Sequence, residues 1–357
     1  MRIITRIIAV IVILILALAA LVWSITFHPK DFQNEAVHNH PDAPMLQRGQ
    51  SIKVLSWNLQ YMASKNYEFW YDRIEGDGPD IRPSRADIEA TYTEVIRVIK
   101  EQNPDVLLLQ ELHDGAVRTD HEDQLERLLT MLPPEYSNHS EAFYWQAGFV
   151  PLPQIMGSAG MKLAVISKYR IDTATRHQLA TIKTYPLYDE FNFKRAIQEI
   201  QLPVYDSEPL VLMNTHFDAF AQGSDTMQQQ VAYLEQLLTK KTKDQEAWLI
   251  SGDFNLLPPG QYSMLPKVAQ NYYQAQTELS GIYDQFSVVP SAEQATGNDA
   301  AQWFTHFPNR KEINAPDRTI DYFVHSKSLT DLQGQVLQDN TWHISDHLPM
   351  VASFTVP

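Results

Sequence analysis

Apolar and polar positions along this chain fall into blocks of different period. The first block is unbroken: Ile7 to Phe27 holds 21 uncharged residues, with only Ser24 and Thr26 polar. At about 1.5 Å rise per residue, a helix of that length spans a hydrocarbon core of about 30 Å. Arg2 and Arg6 precede it, so the basic flank is expected to stay in the cytoplasm and the body outside it. Ala17-Leu18-Ala19 offers small residues for signal cleavage, and a secreted product is the alternative. The run continues well past that point, which favours a retained single-pass membrane anchor over residues 1–27. Residues 28–50 are polar and broken by Pro29, Pro41 and Pro44; they are expected to form a linker, with His38 and His40 solvated rather than holding a metal.

From Ser51 to the end no repeat or low-complexity break appears, and residues 51–357 are expected to form one catalytic domain. Ile52 to Asn58 has the pattern of a buried strand. Ser84 is placed to cap a helix, with Asp87 three residues on and apolar positions at Ile88, Tyr92, Val95, Ile96 and Ile99. Asn103-Pro104 ends it. Further strands are predicted at Val106 to Leu109, Leu163 to Ile166, Ala196 to Leu202, Leu210 to Asn214, Trp248 to Ile250, Ile320 to Val324 and Met350 to Phe354. Thr226 to Leu238 predicts a helix with Val231, Leu234, Leu237 and Leu238 on one face. Strands interspersed with helices predict a layered α/β architecture.

Composition narrows the chemistry. With 44% apolar and 20% charged residues, the chain has the means to fold around a sizeable core. Its 43 acidic residues against 28 Lys+Arg leave a net charge of −15. Such a body repels a polyphosphate strand, which disfavours a general nucleic-acid binder. The absence of cysteine excludes disulfides, thiolate metal sites, cysteine nucleophiles and a lipidated cysteine.

Several apolar strands finish in polar groups. Val54-Leu55-Ser56-Trp57-Asn58 ends in an amide, and Leu107-Leu108-Leu109-Gln110-Glu111 in a carboxylate. Asn214, His216 and Asp218 close another strand, and Asp253 and Asn255 the next. Asp321 lies within an apolar run, and Asp346-His347 precedes the final strand. Side chains two apart share a face while the chain is extended, so Asp253 can point with Asn255, and Asn214 with His216 and Asp218. Acids there are costly unless paired, hydrogen-bonded or bound to metal. Singly, each is more simply a turn acid or a core histidine; six such sites in one chain favour metal-assisted hydrolysis. Carboxylate and amide oxygens suit Mg²⁺, an acid-backed histidine suits a general base, and Asn or His can donate to phosphate oxygens.

The ordered set Ser56-Trp57-Asn58, Gln110-Glu111, Asn214-Thr215-His216, Gly252-Asp253-Phe254-Asn255, Asp321-Tyr322 and Ser345-Asp346-His347-Leu348-Pro349 resembles the endonuclease/exonuclease/phosphatase superfamily, the DNase I-like hydrolases. Met161 to Lys168 looks like the family's middle strand. The resemblance implies a four-layer sandwich of two packed mixed β-sheets flanked by helices, here preceded by one transmembrane helix. It implies Glu111 as the main Mg²⁺ ligand (Mn²⁺ a possible substitute), with Asn58 nearby and Asp346 contributing. It implies His347, oriented by Asp321, as the base that activates water, and Asp253 as an aid at the nucleophile or leaving group. Asn255 and Asn214 would hold the phosphate, and His216 would stabilise its charge. Asp218 is a possible further site residue, weighed evenly against a turn acid.

The substrate is open at this point. Leu59-Gln60-Tyr61-Met62 after the first Trp-Asn departs from the glycine-containing loop of the DNA-repair members. Phe69-Trp70-Tyr71 and the stretch from Tyr144 to Met156 offer aromatic residues for stacking or for lipid, against ordinary core packing as the commoner use. The anchor, acidic body and apolar loop lean towards a phospholipid or other small phosphoester. An extracytoplasmic nuclease is the second reading, and a non-catalytic binding protein on the same fold the third. No protein partner is predicted.

Overall fold

The computed structural model describes residues 2–73, 76–79, 82–219, 221 and 223–357. Its strands, in chain order, are β1 (Phe32–Asn34), β2 (Val37–His38), β3 (Ser51–Asn58), β4 (Val106–His113), β5 (Asn138–Val150), β6 (Gly157–Ser167) and β7 (Thr173–Gln178). They continue with β8 (Ala196–Leu202), β9 (Leu210–His216), β10 (Ala247–Asp253), β11 (Ser287–Val289), β12 (Asp321–His325), β13 (Gln333–Val336) and β14 (Met350–Thr355). The helices used below are α1 (Arg2–Ile25), α2 (Arg85–Gln102), α3 (Gln124–Met131), α4 (Pro186–Asp189) and α5 (Thr226–Lys243).

Two mixed sheets result, ordered β13-β14-β3-β4-β6-β5-β2 and β1-β7-β8-β9-β10-β12-β11. The two-residue alternation of each strand decides what lies between them. Val54, Leu108 and Val165 of the first sheet meet Ile200, Leu212, Leu249 and Phe323 of the second in a fully buried core. The intervening positions face outward: Leu55, Trp57, Leu107 and Leu109 lie under Tyr92, Val95, Leu125 and Leu128 of α2 and α3. On the other side, Val211, Met213, Trp248 and Ile250 lie under Val231, Leu234 and Leu238 of α5. The four layers are thus helix, sheet, sheet, helix. Truncating one of these core leucines to alanine costs about 2–5 kcal/mol.

Local chemistry sets the helix ends. The Ser84 side chain accepts from the Asp87 N–H at 3.1 Å, a cap whose removal costs about 0.5–2 kcal/mol. Asn103 closes α2 in the left-handed region at φ 47°, its N–H returning to Ile99 O.

The stretch expected to be a linker is instead woven into the body. β1 pairs with β7 and β2 with β5, and Leu46, fully buried, bridges to Val204. Strands of two or three residues cannot display a period, which is why the polar, proline-broken segment looked irregular. α1 is exposed except at Val22, and it is long and apolar enough to cross a membrane; a signal sequence passes the same test.

Candidate active site

Alternation carries the functional side chains between the sheets. Counting by twos from Val54, Leu212, Leu249 and Phe323 puts Asn58, Asn214, His216, Asp253 and Asp321 on the inner faces, at one end of the core. Glu111 does not follow that count. Leu109 and Leu112 both face outward, because β4 carries an extra residue against β6 between them. Glu111 sits in this bulge at φ +59°, a conformation that is uncommon for a side chain other than glycine. A bulge re-aims a side chain, and here it turns Glu111 inward.

Asp253 Oδ2 is the hub of the cluster. It accepts from Asn58 Nδ2 at 3.0 Å and lies 3.3 Å from His216 Nε2 and 3.4 Å from His347 Nε2. Asn58 Nδ2 also donates to Glu111 Oε1 at 3.1 Å, and His216 Nδ1 is 3.8 Å from that oxygen. His347 Nδ1 meets Asp321 Oδ2 at 2.9 Å. The turn before β14 is pinned from both sides. Ser345 Oγ donates to Asn58 O at 2.9 Å and accepts from His347 N at 3.2 Å, and Trp57 Nε1 donates to His347 O at 2.8 Å. The imidazole of His347 reaches Asp253 and Asp321, and ligand atoms of Asp346, His306 and His347 also lie within 4.8 Å of one another.

Burial dominates the electrostatics. It pushes Glu111 up to about 7, helped by the Asp346 charge. It pushes Asp253 up to about 7 as well, with His347 opposing and Asp321 adding. Asp346 is raised by burial against the pull of His347 and Lys65. His216 is held well below the usual imidazole range by burial, then by Arg195 and His347. Burial opposes a charge on His347 too, but the Asp321 and Asp253 carboxylates outweigh it and raise its pKa well above the ordinary value. The centre is therefore short of positive charge: burial resists ionisation of its acids, and their charges favour a proton on His347.

That imbalance is the test of whether these residues suit a metal. Among the described residues, the ion-pair partners of Glu111 and Asp253 are histidines, not lysine or arginine. Three groups bring ligand atoms within 4.8 Å of one another: Glu111/His216/Asp253, Asp253/Asp321/His347 and His306/Asp346/His347. Buried carboxylates short of positive charge fit a hard divalent cation.

Three expected roles meet obstacles. Asn58 presents its N–H groups to both carboxylates, while its Oδ1 accepts from Gln60 N at 3.0 Å. The oxygen a metal ligand needs is therefore engaged. Asn214 is fully buried; its Nδ2 donates to Leu109 O and Ala164 O and its Oδ1 accepts from Gln110. It ties the sheets together and has no donor left for phosphate. Asp218 accepts from Arg195 Nε at 3.2 Å and Gln230 Nε2 at 2.8 Å, outside the cluster. Asn255 keeps a place beside the hub, its N–H on Asp253 Oδ1 at 2.9 Å and its Nδ2 on Phe217 O at 3.1 Å.

Other residues join the site from outside the strand-end motifs. Tyr144 OH is 3.3 Å from His216 Nδ1. Arg195 lies 5.0 Å over the Tyr144 ring. The His306 ring is 4.8 Å from that of His347 and is held well below the usual imidazole range, mainly by burial. Thr305 Oγ1 accepts the N–H of both Ile320 and Asp321, fixing the strand start that aims Asp321.

A sequence profile described as the endonuclease/exonuclease/phosphatase family matches residues 55–347. No curated protein matches the chain. Among solved structures, an endonuclease/exonuclease/phosphatase from Beutenbergia cavernae DSM 12333 is similar at 19% identity and a TM-score of 0.58, over 87% of this chain and 72% of that one. The human Nocturnin catalytic domain with bound sulfate matches at 16% identity and 0.53, over 88% and 97%. Truncated Caenorhabditis elegans TDP2 matches at 15% and 0.51, over 86% and 98%. Likeness at these identities speaks for the shared fold: two packed sheets with helices outside.

Proposed function

Since this chain belongs to the endonuclease/exonuclease/phosphatase family, whose members hydrolyse phosphoesters, we propose that it is a divalent-metal-dependent phosphoester hydrolase held in a membrane by α1. The observation that carries this reading is the Asp321–His347–Asp253 relay, closed at 2.9 Å and 3.4 Å beside a Glu111 carboxylate that burial holds near neutrality. Asp321 accepts a hydrogen bond from Nδ1–H and so fixes the tautomer, which leaves Nε2 as the nitrogen free to abstract a proton from water. Asp321 then stabilises the imidazolium that forms. Asp253, between the two histidines and close to its ionisation point, is placed to pass a proton at the attacking or leaving oxygen. Asn255 and His216, beside Asp253, would donate to the phosphate oxygens. Glu111, with Asp346 and Asp253, would hold Mg²⁺ or Mn²⁺, which supplies Lewis-acid charge compensation for the phosphoryl group.

The acidic body and the apolar N-terminal helix favour a phospholipid or another small phosphoester over a nucleic-acid strand. The domain would run from the residues just after α1 to Pro357, with the catalytic body outside the cytoplasm. The test is a panel of sphingomyelin, phosphatidylinositol, inositol phosphates, DNA and RNA, assayed in chelator and after return of Mg²⁺ or Mn²⁺. Hydrolysis should vanish in chelator and return with the ion. Full activity in chelator overturns the metal assignment, and cleavage confined to DNA or RNA overturns the substrate preference.

A further inference from the structure

We infer that the pole of the molecule bearing the catalytic cluster lies against the lipid surface of the membrane that α1 enters, with the tip between β5 and β6 and the segment around α4 seated in its interfacial layer. This rests on the reading of α1 as a retained span. It adds an orientation that anchoring alone does not supply.

The junction leaves no slack. α1 ends at Ile25, and the next residue, Thr26, already bridges Ala147 of β5. A Cβ on Gly148 would stand 3.6 Å from the Ile25 side chain, and the His28 ring stacks on Trp23 at 3.5 Å. The bridge is antiparallel. As the chain leaves the helix and descends, β5 therefore climbs beside it, and Phe149 and Val150 lie further towards the membrane than Gly148. The descent continues down β5, with Val37 opposite Ser140.

The sheet decides which pole this is. β3 is parallel to β4, β4 antiparallel to β6, and β6 antiparallel to β5. β5 thus runs with β3 and β4, whose C-terminal ends carry Asn58 and Glu111. The end of β5 that meets α1 is the catalytic end. Tyr144, against His216, is four residues short of Gly148, about 13 Å along a strand. A phosphoester in the bilayer is then within reach of the site by its headgroup.

The surface at this pole has interfacial chemistry. Phe149 and Met156 on the tip are 41% and 59% exposed, and Tyr185, Leu187 and Tyr188 at α4 are 74%, 53% and 55% exposed. Trp145 Nε1 donates to Phe191 O at 2.8 Å, and His28 lies 3.7 Å from Glu190, so both segments are tied to the foot of the helix. Lys183 and Lys194 line the groove between that foot and the body. Aromatic and aliphatic side chains with lysines beside them suit the headgroup layer.

The chain lacks cysteine, so single labels can be placed cleanly on the full-length protein. Phe149→Cys, Leu187→Cys, Tyr205→Cys and Leu14→Cys would each carry an environment-sensitive fluorophore in phosphatidylcholine–phosphatidylglycerol vesicles containing doxyl lipid. Tyr205 is the control: it is exposed in the turn between β8 and β9, at the opposite pole. Circular dichroism on each labelled protein checks that it is folded. The labels at 149 and 187 should lose most of their emission, as the label at 14 does, while the label at 205 keeps its own. Quenching at 14 with 149 and 187 no different from 205 overturns the apposition. An unquenched label at 14 overturns the span itself.

Discussion

Two clusters of carboxylates, one around β6 of the first sheet and the other between the two sheets, are built in opposite ways. Around β6, Lys162 is fully buried and meets Asp114, Asp123 and Glu141 at 3.0, 2.9 and 2.5 Å. Burial works against its charge, but the hydrogen bond and charge of Glu141, with Asp123, more than compensate and raise its pKa. In the other cluster, Glu111 and Asp253 have histidines as their ion-pair partners and Asp346 feels the pull of His347 and Lys65; burial raises all three. The first cluster contains its own cation and is complete. The second is short of positive charge, which is the condition under which a divalent ion binds and a histidine acts as a base. Acid count alone does not separate structure from chemistry; the resident counter-charge does.

The largest contrast should come from removing each cluster's central base. His347→Ala should cut turnover by about 10²–10⁴-fold, with a fall in melting temperature limited to the loss of its pairing with Asp321. Asp321→Asn should act through the same imidazole, so the double variant should lose far less than the product of the two single losses. Lys162→Met should do the reverse. It strands three carboxylates around a buried site and should cost on the order of 3 kcal/mol, with turnover per folded molecule preserved. Turnover and melting measured on the same preparations decide the matter. A His347→Ala protein that melts early yet turns over normally would make both clusters structural.

The same contrast explains what was legible in the chain. The structure brings the strand-end residues Asp253, Asp321, His216 and His347 together, and two-residue alternation accounts for the first three, since each falls on the inner face of its strand. Alternation says nothing about depth or partner. Asn214 shares a face with His216, yet Gln110 and two carbonyls of the opposite sheet consume its amide. Asp218 was separable from the site only once Arg195, a strand away, was in view. Glu111 faces the site because of a bulge that no period encodes. β5 escaped notice because it buries Asn138 and Ser140 and leaves Phe143 half out, inverting the usual pattern. Tyr144 was marked only as part of an aromatic stretch, with nothing to tie it to His216, and His306 had no signal at all, since each is recruited from a segment whose neighbours are unrelated to the motifs.

A smaller effect, in pH, would sharpen the comparison. In the ion-free protein Glu111 holds its proton up to about 7, whereas unfolding returns it to its ordinary value near 4.5. The folded state binds more protons in that window, so this group's contribution to stability is lost as pH rises through it. His347, also raised, has the same sign: its contribution is complete below the ordinary imidazole value and fades as pH climbs through the folded one. Metal requires the ionised carboxylates, so added Mg²⁺ should raise the melting temperature more above pH 7 than below it. At a free concentration about 100 times Kd the gain is about 2.7 kcal/mol. Glu111→Gln should remove most of this increment, and Lys162→Met should keep it. A metal increment independent of pH would mean that the ion does not displace these protons.

Asp218 supplies the last and smallest test, because it lies between the two kinds of cluster. It is buried like Asp253, and burial raises its carboxyl, yet the Arg195 guanidinium opposes that rise and Gln230 closes around it. By the counter-charge criterion it belongs with Lys162. Asp218→Asn keeps the shape and leaves an amide able to face Gln230, so the loss should be about 1.5–3 kcal/mol, as for a single buried hydrogen bond to a charged group. Arg195 would then carry an unbalanced charge close to Tyr144, and through it to His216. Turnover at neutral pH should fall only a few-fold, through a shift of the pH profile towards acid, because an unbalanced Arg195 lowers the His216 imidazole further. Asp218→Glu would restore the charge and should recover the profile even where the longer side chain fits poorly and the melting temperature does not recover. If Asp218→Asn instead lost activity on the scale expected for His347→Ala, at an unchanged melting temperature, a carboxylate already paired with arginine would be part of the chemistry. The division by resident counter-charge would then fail.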